Sequence, residues 1–335
     1  MPSDTPAIPD VPFVDLSTPA RQELGVLGPL RTLLAACADG GDGVLRSPRL
    51  VVFAADHGVA ELGVSAYPAA ETAARVADLA AGRGPVVASA GAAGVATRLV
   101  DLTGSPSGRI DREDALTDRQ LVDAVDAGIA AADREIDDGA DLLVGGVCSV
   151  AVSTPAAALV AAVTGMEPVD VTSRGSGVGD AAWIRKVRVV RDALHRATSE
   201  ATDAVGLLRI AGGADLAAFA GFVAQAAARR TPVLVDDVVG TLGAVLANRM
   251  APGSELYVVA TSLAPERAHR RLLDVLGRDP LTSWQLGLGS GLGAVLLVPA
   301  IRAAMAAEAA TEALAADPGR GRTADAVERW DPELL

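Results

Sequence analysis

Aromatic side chains are scarce in this sequence: Phe, Trp and Tyr together make up 3% of its 335 residues. A core must therefore be built from Ala, Val and Leu, which suits close packing of helices on a sheet. Histidine is almost as rare. The three present (His57, His195 and His269) are far apart without ligand spacing, so there is no zinc signature. Two cysteines, Cys37 and Cys148, have no partner motif, which excludes a disulfide framework and points to a reducing compartment. Positive charge is in deficit, with 29 basic against 42 acidic residues and a net charge of −13, which argues against a nucleic-acid or anionic-membrane surface. Gly, Asp or Arg interrupts every long apolar stretch, and the first residues, MPSDTPAIPDVPF, lack the basic and apolar regions of a signal peptide. These absences predict a cytoplasmic, soluble protein with no nucleic-acid and no membrane partner.

What is present is a 50% hydrophobic chain, too apolar for disorder and long enough for one large domain plus a smaller one. Strand-like runs at Leu50–Ala54, Arg98–Leu102, Leu142–Val147, Pro232–Val235 and Leu256–Ala260 alternate with alanine-rich helical stretches. This pattern predicts an α/β fold, a doubly wound and mostly parallel sheet with helices on both faces. At the start, Thr18 can cap a helix with Pro19 in its first turn. A long alanine-rich helix over Leu292–Ala315 ends the pattern, followed by a polar tail. The two terminal helices are expected to form a small helical subdomain (residues 1–45 and 292–335) beside a large α/β domain (residues 46–291) that binds nucleotide and base.

In open parallel sheets, ligands bind beyond the carboxyl ends of the strands. The first strand runs into Asp56-His57-Gly58 and then Ser65-Ala66-Tyr67-Pro68; the third ends near Cys148, Ser153 and Thr154; the fourth ends in Asp236-Asp237. Glycine turns at Arg174-Gly175-Ser176-Gly177, Gly212-Gly213 and Gly287–Gly293 let backbone N–H groups approach an anion, and Arg174 offers a cation for a phosphate. The competing reading of each is structural: a surface ion pair for Arg174, a loop cap for Asp56, and one cap plus one solvated side chain for Asp236-Asp237. Adjacent residues on a strand point to opposite sides. Tyr67 is the aromatic expected near a ligand, whereas Trp183, Trp284 and Phe219 are expected to pack in the core. The string Gly289–Ala294 matches the dinucleotide fingerprint G-x-G-x-x-A, but no second strand with an acidic residue follows it, so no NAD or other cofactor is expected. No metal site is expected either.

Read in order, Asp56-His57-Gly58-Val59 with Gly63–Pro68, Ser173–Gly177 with the Arg185-Lys186 helix, Ala228–Asp236, His269-Arg270 and the closing glycine turn resemble the nicotinate-nucleotide:dimethylbenzimidazole phosphoribosyltransferases of cobalamin lower-ligand assembly. The resemblance spans roughly Thr18 to Ala310. It implies a homodimer and small-molecule partners: a nucleotide, nicotinate mononucleotide, whose phosphoribose passes to an azole base. It also implies phosphate contacts from Arg174, Gly175, Ser176, Gly177, Ser153, Thr154 and the Gly212-Gly213 and Gly291 turns, and base contacts from Ser65 and Tyr67.

The sequence departs from the family pattern at its glutamates. The closing turn, a G-E-G-T-G pattern in the family, reads Gly289-Ser290-Gly291-Leu292-Gly293, and the second glutamate falls on Val147. A hydroxyl at Ser290 is no base at neutral pH, so Asp56 or Asp236 is expected to supply the catalytic carboxylate. The alternative is a catalytically impaired homologue that binds a nucleotide or base, or serves as a partner subunit to an active paralogue.

Overall fold

The protein is described by a computed structural model covering residues 5–14, 25, 27–37 and 45–315. Five strands form one parallel sheet: β1 (Pro48–Ala54), β2 (Ala96–Asp101), β3 (Leu142–Val147), β4 (Val233–Val235) and β5 (Val258–Ala260). Their order is β2-β1-β3-β4-β5. Each strand coincides with a run expected from the sequence; β1 and β3, covered on both faces, are apolar almost throughout, whereas the edge strand β2 is exposed at Ala96, Thr97 and Asp101. In β1, Leu50, Val52 and Ala54 face one helical layer while Val51 and Phe53 face the other, and all five are fully buried.

One face of the sheet is covered by α1 (Gly28–Cys37), α2 (Glu71–Ala80), α3 (Pro85–Ala92) and α12 (Leu292–Ala315). The other carries α4 (Asp118–Asp137), α5 (Ser153–Thr164), α6 (Pro168–Val171), α7 (Asp180–Glu200), α8 (Ala204–Ala211), α9 (Ala214–Ala228), α10 (Val238–Met250) and α11 (Arg267–Leu276). The doubly wound arrangement is therefore present. The sequence reading did not anticipate α3, α6 and α8, which are short and flanked by glycine or proline. The expected cap at Thr18 and the polar tail lie outside the described residues. The terminal helices meet: Arg31 Nε is 2.6 Å from Glu308 Oε2, and Leu30, Leu34, Val295, Val298 and Ile301 share one apolar cluster with Leu50, Val52 and Val144. By length and composition, Leu292–Thr311 of α12 could cross a membrane, but half of that stretch is buried against the sheet, so its apolar side serves the core.

Local chemistry sets the helix starts. Thr117 Oγ1 accepts from Gln120 N while Gln120 Oε1 accepts from Thr117 N, a reciprocal cap for α4. Asp203 caps α8 through Gly206 N at 2.8 Å, and Asp237 caps α10 through Gly240 N at 2.7 Å. Three of the few aromatics, Phe53, Phe219 and Phe222, cluster with centroids 5.4–6.2 Å apart beneath the sheet, Phe53 meeting the other two edge-to-face. Phe219 is thus a core residue, as expected.

Helices α4 and α9 approach closely at their glycines. A Cβ added at Gly128 would stand 1.8 Å from the Ala218 carbonyl oxygen, and one at Gly221 would stand 2.6 Å from that of Val125. Neither helix can accommodate it without moving away. Gly128→Ala is expected to destabilise the protein by about 1–3 kcal/mol despite alanine's better helix propensity, read as a lower urea midpoint at unchanged slope. A midpoint at or above that of the parent would contradict this contact.

Candidate active site

Strand order reverses between β1 and β3, which makes the crevice above their carboxyl ends the expected ligand position. A cleft of about 620 Å³ opens there, within the range of nucleotide-sized sites. Its walls are the loop after β1 (Ser65, Tyr67), the loop after β3 running into α5 (Val147 to Ser153), the Ser173–Ser176 turn, the end of β4 at Asp237, Glu266 before α11, and the closing turn Leu286–Ser290.

Two polar arrangements shape this cleft. The first is an anion socket. Ser153 is the first residue of α5, where the helix dipole favours negative charge. Immediately behind the wall, the fully buried Lys186 donates from Nζ to Ser153 Oγ at 2.8 Å and to Ser173 O at 3.1 Å. Both acceptors are neutral. Burial pushes the ammonium down to about 8, partly offset by the negative charge of Glu266. Gly175 closes over this cation at φ +53°, and a Cβ there would stand 2.7 Å from Ser153 Oγ. Ser176 Oγ accepts from Ala66 N at 2.8 Å and lies 3.2 Å from Ser65 Oγ, which joins the socket to the loop after β1.

The second arrangement is a buried brace. Asp215 Oδ2 accepts from Ser149 Oγ at 2.5 Å and lies 3.0 Å from His57 Nε2, while Ser149 Oγ accepts from Ala55 N at 2.8 Å. Burial alone would raise the Asp215 carboxyl, but the His57 charge and the hydrogen bonds from His57, Ser149 and Leu216 N outweigh it and hold the group below its usual range. The serine and histidine both address the carboxylate rather than each other, so this is no nucleophilic triad. It fixes the ends of β1 and β3 on the start of α9. On the far side of the cleft, burial keeps His269 neutral near pH 7 by lowering it to about 4. Its Nδ1 accepts from Ala264 N at 2.8 Å, and Nε2 pairs with Thr241 Oγ1 at 2.8 Å, which holds the turn leading to Glu266.

Of the residues expected at the site, Ser65, Tyr67, Ser153, Gly175, Ser176 and Ser290 line the cleft. The Arg75 guanidinium sits 4.7 Å over the Tyr67 ring. The others lie elsewhere. Arg174, expected to face an anion, instead donates to Asp180 Oδ1 at 2.5 Å and Val178 O at 2.9 Å on the outer surface. Gly177 completes that turn at φ +90°, outside the cleft wall. Thr154 is fully buried in α5 with no hydrogen bond to its hydroxyl. Gly212 and Gly213 serve packing, since a Cβ at Gly213 would stand 2.5 Å from His57 Cε1.

Gly291 lies against Leu50 and Gly145 under the closing turn. Asp56 does not reach the cleft; burial raises its carboxyl, His57 opposes this, and Asp101 and Asp215 add to it. Asp236 is buried behind the cleft, and its Oδ2 accepts from Gly293 N at 2.6 Å at the start of α12. Ser290 has φ +59° and donates to Val147 O at 3.2 Å; Gly146 leaves room for it, since a Cβ there would stand 2.2 Å from the Ser290 carbonyl carbon. Trp284, expected in the core, is instead about half exposed at 46%.

Two functional candidates were missed, Lys186 as the socket cation and Glu266 as a cleft carboxylate, and of the Asp236-Asp237 pair it is Asp237 that lines the cleft. For Lys186 a signal existed. It is the sole lysine among 29 basic residues, a position where an otherwise arginine-only sequence keeps an ammonium.

The family model described as phosphoribosyltransferase matches residues 14–316. The nicotinate-nucleotide–dimethylbenzimidazole phosphoribosyltransferase of Mycobacterium tuberculosis (strain ATCC 25618 / H37Rv) is 43% identical over 343 aligned residues, covering 96% of this chain and 93% of that protein. The chain belongs to this phosphoribosyltransferase family. The Mycobacterium avium (strain 104) protein of the same name is 45% identical, with 88% of each chain covered. Crystallographic CobT from Thermus thermophilus superposes with a TM-score of 0.80 at 34% identity, covering 86% of this chain and 91% of that one. The family match therefore takes in every cleft-lining residue named above, from Ser65 to Ser290.

Proposed function

We propose that this chain transfers phosphoribose from nicotinate mononucleotide to a ring nitrogen of a benzimidazole-type base, in the assembly of the lower ligand of cobalamin. The observation that carries this reading is the anion socket. A buried ammonium with only neutral hydrogen-bond partners, placed behind a helix N-terminus at the sheet's switch point, suits a 5′-phosphate. Ser153, Gly175 and Ser176 face that phosphate, and Ser65, Tyr67 and the apolar wall of Leu79, Val86 and Leu288 flank the base. The leaving pyridinium needs no redox partner, since the sugar carbon becomes oxocarbenium-like as nicotinate departs. A homodimer and a cytoplasmic setting belong to the same proposal.

The second reading, a homologue that binds without catalysis, is favoured by the closing turn: Ser290 and Val147 present no carboxylate, and the Ser290 hydroxyl is turned onto Val147 O. Incubation of the protein with nicotinate mononucleotide and a series of azoles, with chromatographic detection of nicotinate and ribosyl-azole phosphate, separates the two. Stoichiometric appearance of both products supports transfer. Nucleotide binding by calorimetry with no nicotinate released would sink the enzyme and leave the binder.

A further inference from the structure

The transfer needs a proton acceptor. An azole attacks C1′ through its unprotonated ring nitrogen while its second nitrogen carries a proton that must leave. Among the described residues, three carboxylates line the cleft: Asp78, Asp237 and Glu266. Asp78 is paired with Arg83, Oδ1 to Nη2 at 2.6 Å. Glu266 precedes α11 on the Lys186 side, where its charge supports the ammonium. The other titratable groups nearby are engaged. His57 faces Asp215, His269 is held by Thr241 and Ala264, and burial pushes the Cys148 thiol up to about 12.

Asp237 differs from all of these. Its Oδ1 accepts from Gly240 N at 2.7 Å, which fixes the side chain at the head of α10. Its Oδ2 lies against the closing turn, 3.1 Å from where a Cβ of Gly289 would be, next to Ser290. One oxygen is thus an anchor, and the other packs against the closing turn in the cleft wall.

We propose that Asp237 is the general base of the transfer, with Oδ2 receiving the N–H proton of the incoming azole. This rests on the transferase reading. The C1′–N bond to nicotinate breaks and its electron pair leaves with the nicotinate ring nitrogen. The azole lone pair forms the new C1′–N bond, the N–H electrons return to the azole ring, and the proton is held by Asp237 until solvent removes it. The surroundings suit the task. Burial raises the Asp237 carboxyl, the Gly240 and Val239 amides oppose this, and Glu266 raises it further, a direction that makes the carboxylate a stronger base. The charged neighbours are Asp236, which accepts from Gly293 N and is pushed up to about 8 by burial and by the Asp237 charge, Glu266 before α11, and Lys186 from α7 beyond it.

The test is Asp237→Asn, which keeps an acceptor for Gly240 N. We expect kcat to fall about 100- to 10,000-fold with KM for the nucleotide nearly unchanged, an unaltered thermal midpoint, and loss of the acidic limb of the kcat–pH profile. Glu266→Gln should move that limb to lower pH in the parent background. A kcat for Asp237→Asn within about tenfold of the parent, or a loss that leaves the acidic limb in place, overturns the assignment. A parent protein that releases no nicotinate with any azole removes the transferase reading and this base together. A parent that turns over while Asp237→Asn does equally well removes only the base.

Discussion

Lys186→Met is expected to lower kcat/KM for nicotinate mononucleotide by about 30- to 1000-fold, or about 2–4 kcal/mol, while leaving the protein as stable as the parent or more so. The two effects separate because the ammonium is a poor contributor to folding. It is fully buried with only two neutral acceptors, and replacing such a charge with an apolar side chain of similar length is commonly neutral or stabilising. Its value appears when an anion arrives, since attraction is strong where water is excluded. Activity of the parent should also decline above about pH 8, as the depressed ammonium loses its proton, and that alkaline decline should vanish in the variant. Steady-state kinetics over a pH series, with a thermal melt of each protein, checks both. A variant with normal kcat/KM would place the phosphate elsewhere.

Asp215→Ala should be the most destabilising single change near the site, by about 3–5 kcal/mol, because it strips a buried histidine and a buried serine of their shared partner. Ser149 also receives the Ala55 amide, so the damage spreads to the ends of both β1 and β3. The pH dependence has a definite sign. The folded-state carboxyl lies below its ordinary value of 3.8, so its stabilisation is complete above that value and is lost as pH falls through the lower folded one. The parent and variant stability curves, measured by urea unfolding, should therefore converge in strong acid and stay parallel from about pH 5 upward. A constant gap down to about pH 2 would mean that the brace acts through shape rather than charge.

The sheet was legible because strands covered on both faces are continuous apolar runs, as in Leu50–Ala54. The glycine turns were legible as places of close approach. Which charged side chain uses them was not. Arg174 is in the turn itself, but Asp180 lies six residues on and takes its guanidinium in an exposed ion pair. Lys186 reaches the same turn from one helix away, a contact that only the packing of α5 and α7 creates. At Asp236-Asp237, alternation predicts one cap and one solvated side chain, but both carboxylates cap backbone amides and lie against the closing turn, and sequence does not say which one reaches the cleft. The start of α12 decides it by taking Asp236 through Gly293 N. Glu266 gave no sign at all, being one acidic residue at a helix start among 42 acids.

The sole lysine has a consequence for chemical labelling. Every other basic side chain is a guanidinium, so an acylating or reductively methylating reagent has no lysine on the surface to modify. The one ε-amine is enclosed beneath Gly175. Its rate of modification is consequently a clock for how often the Ser173–Ser176 turn lifts, and a nucleotide seated on that turn should stop the clock.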